Sequence, residues 1–219
     1  MIGRAGLRCA GLTLLVAAAG AEGAKPLRVK ADPATAPCLA AARDAYERAS
    51  GRSFTIETGN LERARSAQGF DVLVGIEGEL TRVLESGAAD LDLGIARIPW
   101  VLVGAGGEVG ALDRPKGRVF VLGGSVGLAA RRSLQHLPAE QVTALPPGAG
   151  PVRPGPGELA VVPLSLAAGV PAAALDIPPL EVRGLAVSGS RDLEGARRLV
   201  QFLSSPAGAA AFAACGAGR

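Results

Sequence analysis

The sequence predicts an α/β protein, on three observations. Short strand-like runs alternate with stretches of helical periodicity, which implies mainly parallel sheets flanked by helices. Hydrophobic residues fill 48% of the 219 positions while aromatics fill only 3%. A core of many small, closely packed side chains suits layered α/β architecture better than an aromatic-rich sandwich. Finally, the alternation restarts after a glycine-rich stretch in mid-chain, so a second lobe is expected.

Residues 1–24 carry Arg4 and Arg8, an apolar run from Cys9 to Ala19 and then small residues. This pattern predicts a secretory signal peptide, since 11 apolar residues are too few to span a bilayer. An exported, soluble mature protein follows. Two cysteines then remain, Cys38 and Cys215. Their even number in an oxidising compartment points to a disulfide, with two buried free thiols as the alternative.

LRVKA (27–31) and SFTIE (53–57) read as strands, and Leu39, Ala42, Ala45 and Ala49 between them mark one face of a helix that Gly51 stops. A short helix is expected to begin near Asn60, followed by the strand FDVLV (70–74) and the helix ELTRVLESG (79–87). Beyond Gly94 the chain runs extended across Pro99 into a glycine-rich loop from Gly104 to Gly117. RVFVL (118–122) opens the second α/β unit, and Gly123-Gly124-Ser125 leads into a helix over Val126–Gln135. PPGAGPVRPGPG (146–157) has too much proline and glycine for a regular element and is either a loop or disordered. ELAVVPLS (158–165) and VRGLAV (182–187) are strands, and Leu193, Ala196, Val200 and Leu203 share a helical face. Ser205 then caps a last helix with Pro206 at its first position, where proline forfeits no helical hydrogen bond. Gly216 ends it.

Several function classes are disfavoured by what the sequence carries. The net charge is +3 with basic and acidic residues interspersed, and Arg131-Arg132 and Arg197-Arg198 fall on expected solvated helix faces. Nucleic acid is therefore not an expected partner. His136 is the only histidine, and no nucleophile motif, metal-ligand spacing or dinucleotide fingerprint accompanies it. The GAGG at 104–107 follows a strand, but no helix clearly starts after it. No catalysis, metal or cofactor is expected.

The segments ARRLVQFLSSPAGAAAFAACG, FDVLVGIEGELTRVLESG, GLAARRSL and GELAVVPLS, taken in order, resemble the periplasmic molybdate-binding proteins. These are type 2 solute-binding receptors of ABC transporters, and the resemblance covers most of the chain after the leader. It implies a two-lobed type 2 periplasmic-binding-protein fold with a ligand cleft between the lobes. Residues 25–103 and 182–219 would form the first lobe and 104–181 the second. The terminal helices would then return to the first lobe, bringing Cys215 near the start of the Cys38 helix.

Such a cleft holds a tetrahedral oxyanion on backbone N–H groups at helix N-termini, helped by hydroxyls, without lysine or arginine. Three loops follow expected strands, at Asp32-Pro33-Ala34-Thr35, Thr58-Gly59-Asn60 and Gly123-Gly124-Ser125-Val126. Each is either an ordinary helix cap or part of a site. The expected lining is Thr35, Thr58, Gly59, Gly75, Ser125, Val126 and Ser165. Two departures from the family pattern stand out. Ala34 replaces a ligand serine beside an added negative charge at Asp32, and Ser165 replaces a tyrosine. The resemblance implies a monomeric exported protein that captures molybdate, tungstate or a related small oxyanion for an ABC transporter permease. The departures imply the alternative, a secreted interaction or sensor module of the same fold with a degenerate pocket.

Overall fold

A computed structural model describes residues 25–104, 112–146, 149–167 and 169–218; the leader expected over 1–24 lies outside them, as does part of each central loop. The first sheet begins with β1 (Leu27–Ala31), whose alternate residues Leu27, Val29 and Ala31 are buried. Helix α1 (Ala36–Ser50) follows and buries Cys38, Leu39, Ala42 and Tyr46, ending on Gly51 in the left-handed conformation. Strands β2 (Phe54–Thr58) and β3 (Val72–Ile76) flank β1 in parallel, with Ala31 level with both Thr58 and Val74.

No α-helix forms near Asn60. The segment holds only a 3₁₀ turn at Ala64–Ala67, because Asn60 Oδ1 accepts from the Glu62 amide at 2.8 Å and its carbonyl accepts from Ser66 Oγ at 3.2 Å. Such side-chain bonds compete with helical ones. Helix α2 (Glu77–Glu85) then leads to the long strand β4 (Ala89–Ile98).

At Pro99 the chain leaves the first sheet, and β5 (Trp100–Val103) pairs inside the second. The crossing falls a few residues ahead of the 103/104 boundary read from the sequence. The second sheet adds β6 (Val119–Leu122), β7 (Val142–Leu145), β8 (Leu159–Pro163) and β9 (Ala172–Ala174) in the order β7-β6-β8-β5-β9. Its helix α3 covers only Leu128–Ser133, shorter than the expected 126–135. Residues 123–127 are taken up by a tight turn in which any side chain at Gly127 would collide with the Leu122 carbonyl.

Strand β10 (Leu180–Val187) returns to the first sheet and runs antiparallel to both β3 and β4, giving the order β2-β1-β3-β10-β4. Both sheets are thus mixed, each with a parallel trio and one antiparallel strand, β10 or β5, inserted between the trio and an outer strand, β4 or β9, that runs in the trio's direction. Helix α4 (Leu193–Leu203) is capped by Asp192, which accepts from the Gly195 amide at 2.9 Å, and buries Leu199, Val200 and Leu203. Burying such side chains stabilises by about 1.5–3 kcal/mol each. Helix α5 (Pro206–Ala213) starts at the Ser205 cap and packs on α1, and a Cys38–Cys215 disulfide joins the two ends with Cα atoms 5.3 Å apart. The Ser-Pro corner is therefore what lets a nearly all-alanine helix lie close against α1.

Candidate functional site

The carboxyl ends of β1, β6 and β8 face one another, and the turns that follow them line a cavity between the lobes. Asp32, Pro33, Ala34 and Glu79 come from the first lobe, and Leu122, Gly123, Val126, Ala149 and Leu166 from the second. Its volume is about 20 Å³. That is room for about one water, so a tetrahedral oxyanion enters only if the lobes part. Larger concavities, of about 330 and 540 Å³, border Phe70 in the first lobe and share no lining residue with this cavity. The second brings Lys30 together with Arg63 and Arg65, which lie more than 30 residues further along the sequence.

The turn after β1 is built around a buried carboxylate. Asp32 Oδ1 accepts from the amides of Ala34 at 2.7 Å and Thr35 at 3.2 Å, while Oδ2 accepts from the Ile76 amide at 3.1 Å and the Thr35 hydroxyl at 2.8 Å. Both Asp32 and Thr35 are fully buried. The amides at the start of α1 and the end of β3, the donors expected to hold an anion, thus already hold one that belongs to the chain. Gly75 is part of this arrangement, because a Cβ there would stand 3.2 Å from Asp32 Oδ2 and would collide with Leu61.

Burial raises the Asp32 pKa to about 6, against four hydrogen bonds that favour the charged form. The neutral form has a place for its proton. Thr35 Oγ also lies 3.1 Å from the Val74 carbonyl, so the hydroxyl can turn to donate there and accept from a protonated Asp32.

On the other wall, Ser125 Oγ donates to Glu62 Oε1 across the lobes at 2.8 Å. That donation, first among the causes, lowers the Glu62 pKa. Ser165 Oγ makes a second crossing, donating to the Ala34 carbonyl at 2.6 Å. Val126 contributes an apolar wall. Thr58 and Gly59 stand apart from the cavity: Thr58 is exposed at the end of β2, and the Gly59 amide donates to the Ala31 carbonyl at 2.9 Å. Of the seven residues expected from the sequence, Thr35 and Gly75 support Asp32, Ser125 and Ser165 tie the lobes, and Val126 lines the cavity.

Sequence reasoning passed over Glu79. It is 6% exposed, and its Oε2 is buried without a hydrogen-bond partner among the described residues. Burial first, then the negative charges of Asp32 and Glu62, push its pKa up to about 8. A signal was available, since Glu79 and Val83 are four apart and share the inward face of α2. Among the described residues, no group of three or more His, Cys, Asp or Glu is arranged to hold a metal.

No protein-family profile matches the sequence, and no curated protein does. Solved structures do match. The periplasmic molybdate-binding protein of Azotobacter vinelandii superposes with a TM-score of 0.71 at 15% identity, over 87% of this chain and 98% of that one. The sulfate-binding protein SubI of Mycobacterium tuberculosis gives 0.64 at 18% identity over 89% and 86%. Peb3 of Campylobacter jejuni gives 0.65 at 12% identity over 88% and 99%. Likeness at such identities is a statement about architecture: this chain has the two-lobed fold of the type 2 periplasmic binding proteins, in a divergent form.

Proposed function

We propose that the chain is an exported two-lobed binding module, of interaction or sensor type, whose oxyanion position is filled by its own carboxylate. One observation carries this reading: both Asp32 oxygens are engaged by the Ala34, Thr35 and Ile76 amides and the Thr35 hydroxyl. An incoming dianion would have to displace a covalently tethered competitor and then stand beside it. The leader pattern and the disulfide support export.

Oxyanion capture for an ABC permease is the second reading. It is favoured by the convergence of three amides and a hydroxyl on a single carboxylate, and by the molybdate- and sulfate-binding proteins that share the fold. Thermal melts in molybdate, tungstate, sulfate and phosphate separate the two. A bound ligand at a hundredfold excess over its Kd adds about 2.7 kcal/mol of stability. The wild type is expected to give flat melts with all four anions, whereas a rise with any of them establishes oxyanion capture.

A further inference from the structure

We propose that the inter-lobe cavity is a site for a small hydrogen-bond-donating cation, of the ammonium or primary-amine class, with Glu79 as its counter-ion. The proposal rests on the reading that Asp32 occupies the oxyanion position.

Glu79 supplies the acceptor. A carboxyl oxygen buried without a partner is rare in folded proteins and calls for a specific occupant. Here that oxygen, Oε2, belongs to a side chain lining a cavity of about 20 Å³. A cavity holding one water also holds an ammonium ion, which is of similar size and has only donors to offer.

The surrounding charges favour a cation. Asp32 lies on the same side, and Glu62 adds its field to Glu79 from the rim. Arg82 acts on Glu62, and among the described residues no lysine or arginine lines the cavity. The second lobe contributes Leu122, Val126, Ala149 and Leu166 with the Gly123 backbone, an apolar wall without a counter-charge. Closing it over Glu79 leaves a carboxylate that must either take a proton or find a cation. Burial holds its pKa up at about 8, so at neutral pH the carboxyl keeps a proton unless a cation replaces it.

A divalent metal fits less well. Both Asp32 oxygens are committed to donors and the Glu79 carboxyl also accepts from the Leu61 backbone, so the lining falls short of the six or more oxygens that calcium takes. Amines larger than ammonium, methylammonium among them, would need the Glu62–Ser125 and Ser165–Ala34 bonds to open.

The test is an NMR titration of the Glu79 side-chain carboxyl in ammonium chloride, methylammonium chloride and, for ionic strength, sodium chloride, paired with melts on either side of its midpoint at about 8. Ammonium or methylammonium is expected to lower that midpoint and raise Tm, and sodium to do neither. Because the cation competes with a proton, its affinity should climb up to about tenfold per pH unit until Glu79 is ionised, and then level. Glu79→Gln should abolish the response, and Glu85→Gln, on the exposed side of α2, should keep it. If Glu79→Gln does not fold, the wild-type midpoint decides alone. An unmoved midpoint with silent oxyanions overturns the cation site and leaves Asp32 as the anion surrogate. A wild-type response to molybdate or phosphate overturns both.

Discussion

The two walls of the cleft are built alike and finished differently. Each is a turn that follows a parallel strand and enters a helix, after β1 in one lobe and after β6 in the other. Such turns aim N–H and hydroxyl groups at the crevice. In the first lobe those groups are held by Asp32, from the same turn; in the second, the Ser125 hydroxyl is held by Glu62, which reaches across. Carboxylates of one lobe thus do, on both walls, the work a bound oxyanion would do. A fold suited to anions can be closed by its own acidic side chains, and its ligand preference then follows what they leave unpaired.

The largest effect should come from the first lobe's covalent tie. Replacing Cys38 and Cys215 by alanine should cost about 2–5 kcal/mol in chemical denaturation. Limited proteolysis should then cut first near α1 and α5 while the β6–β8 region stays protected. Next comes Asp32→Ala, which takes the side-chain acceptor from the Ala34 and Ile76 amides and leaves the Thr35 amide only the Asp32 carbonyl. A buried donor left unpaired costs about 1–3 kcal/mol, and the variant should gain a melting response to molybdate that the wild type lacks.

Glu79→Gln gives a pH-dependent effect. The folded-state pKa is raised from 4.5 to about 8, so the folded protein binds the extra proton and its stability falls as pH rises across that window. Asp32 adds a similar decline between 3.8 and about 6. Denaturation curves across pH should show the glutamine variant matching the wild type in acid, gaining on it between about 4.5 and about 8, and keeping that margin above. Ser125→Ala should be the mildest change, about 1 kcal/mol for one hydrogen bond. Small-angle scattering should then show a more open pair of lobes, which Thr58→Ala, remote from the cavity, should not.

Much of the scaffold was legible in the sequence, because its signals are local. Gly51 and the Ser205-Pro206 corner mark helix ends by backbone geometry alone, and both do so in the structure. The departure at Asp32 was legible as an added charge, but not that the charge would face inward and satisfy amides of its own turn together with that of Ile76, 44 residues away. That depends on Gly75 letting the carboxylate approach, a condition set by tertiary packing. The Asn60 segment misled because asparagine both starts helices and bonds to its own turn, and only the neighbouring Ser66 decides between them. Glu79 was hidden in an ordinary amphipathic pattern, since a carboxyl on the inward face becomes unusual only once the opposite lobe closes over it.

The most direct measurement follows the backbone amides of Ala34, Thr35 and Ile76 by NMR through a pH titration, with and without excess molybdate. If Asp32 is the resident anion, the three resonances shift together with one midpoint near 6 and are indifferent to molybdate. Independent titration of the three, or their displacement by molybdate in the wild-type protein, would contradict it.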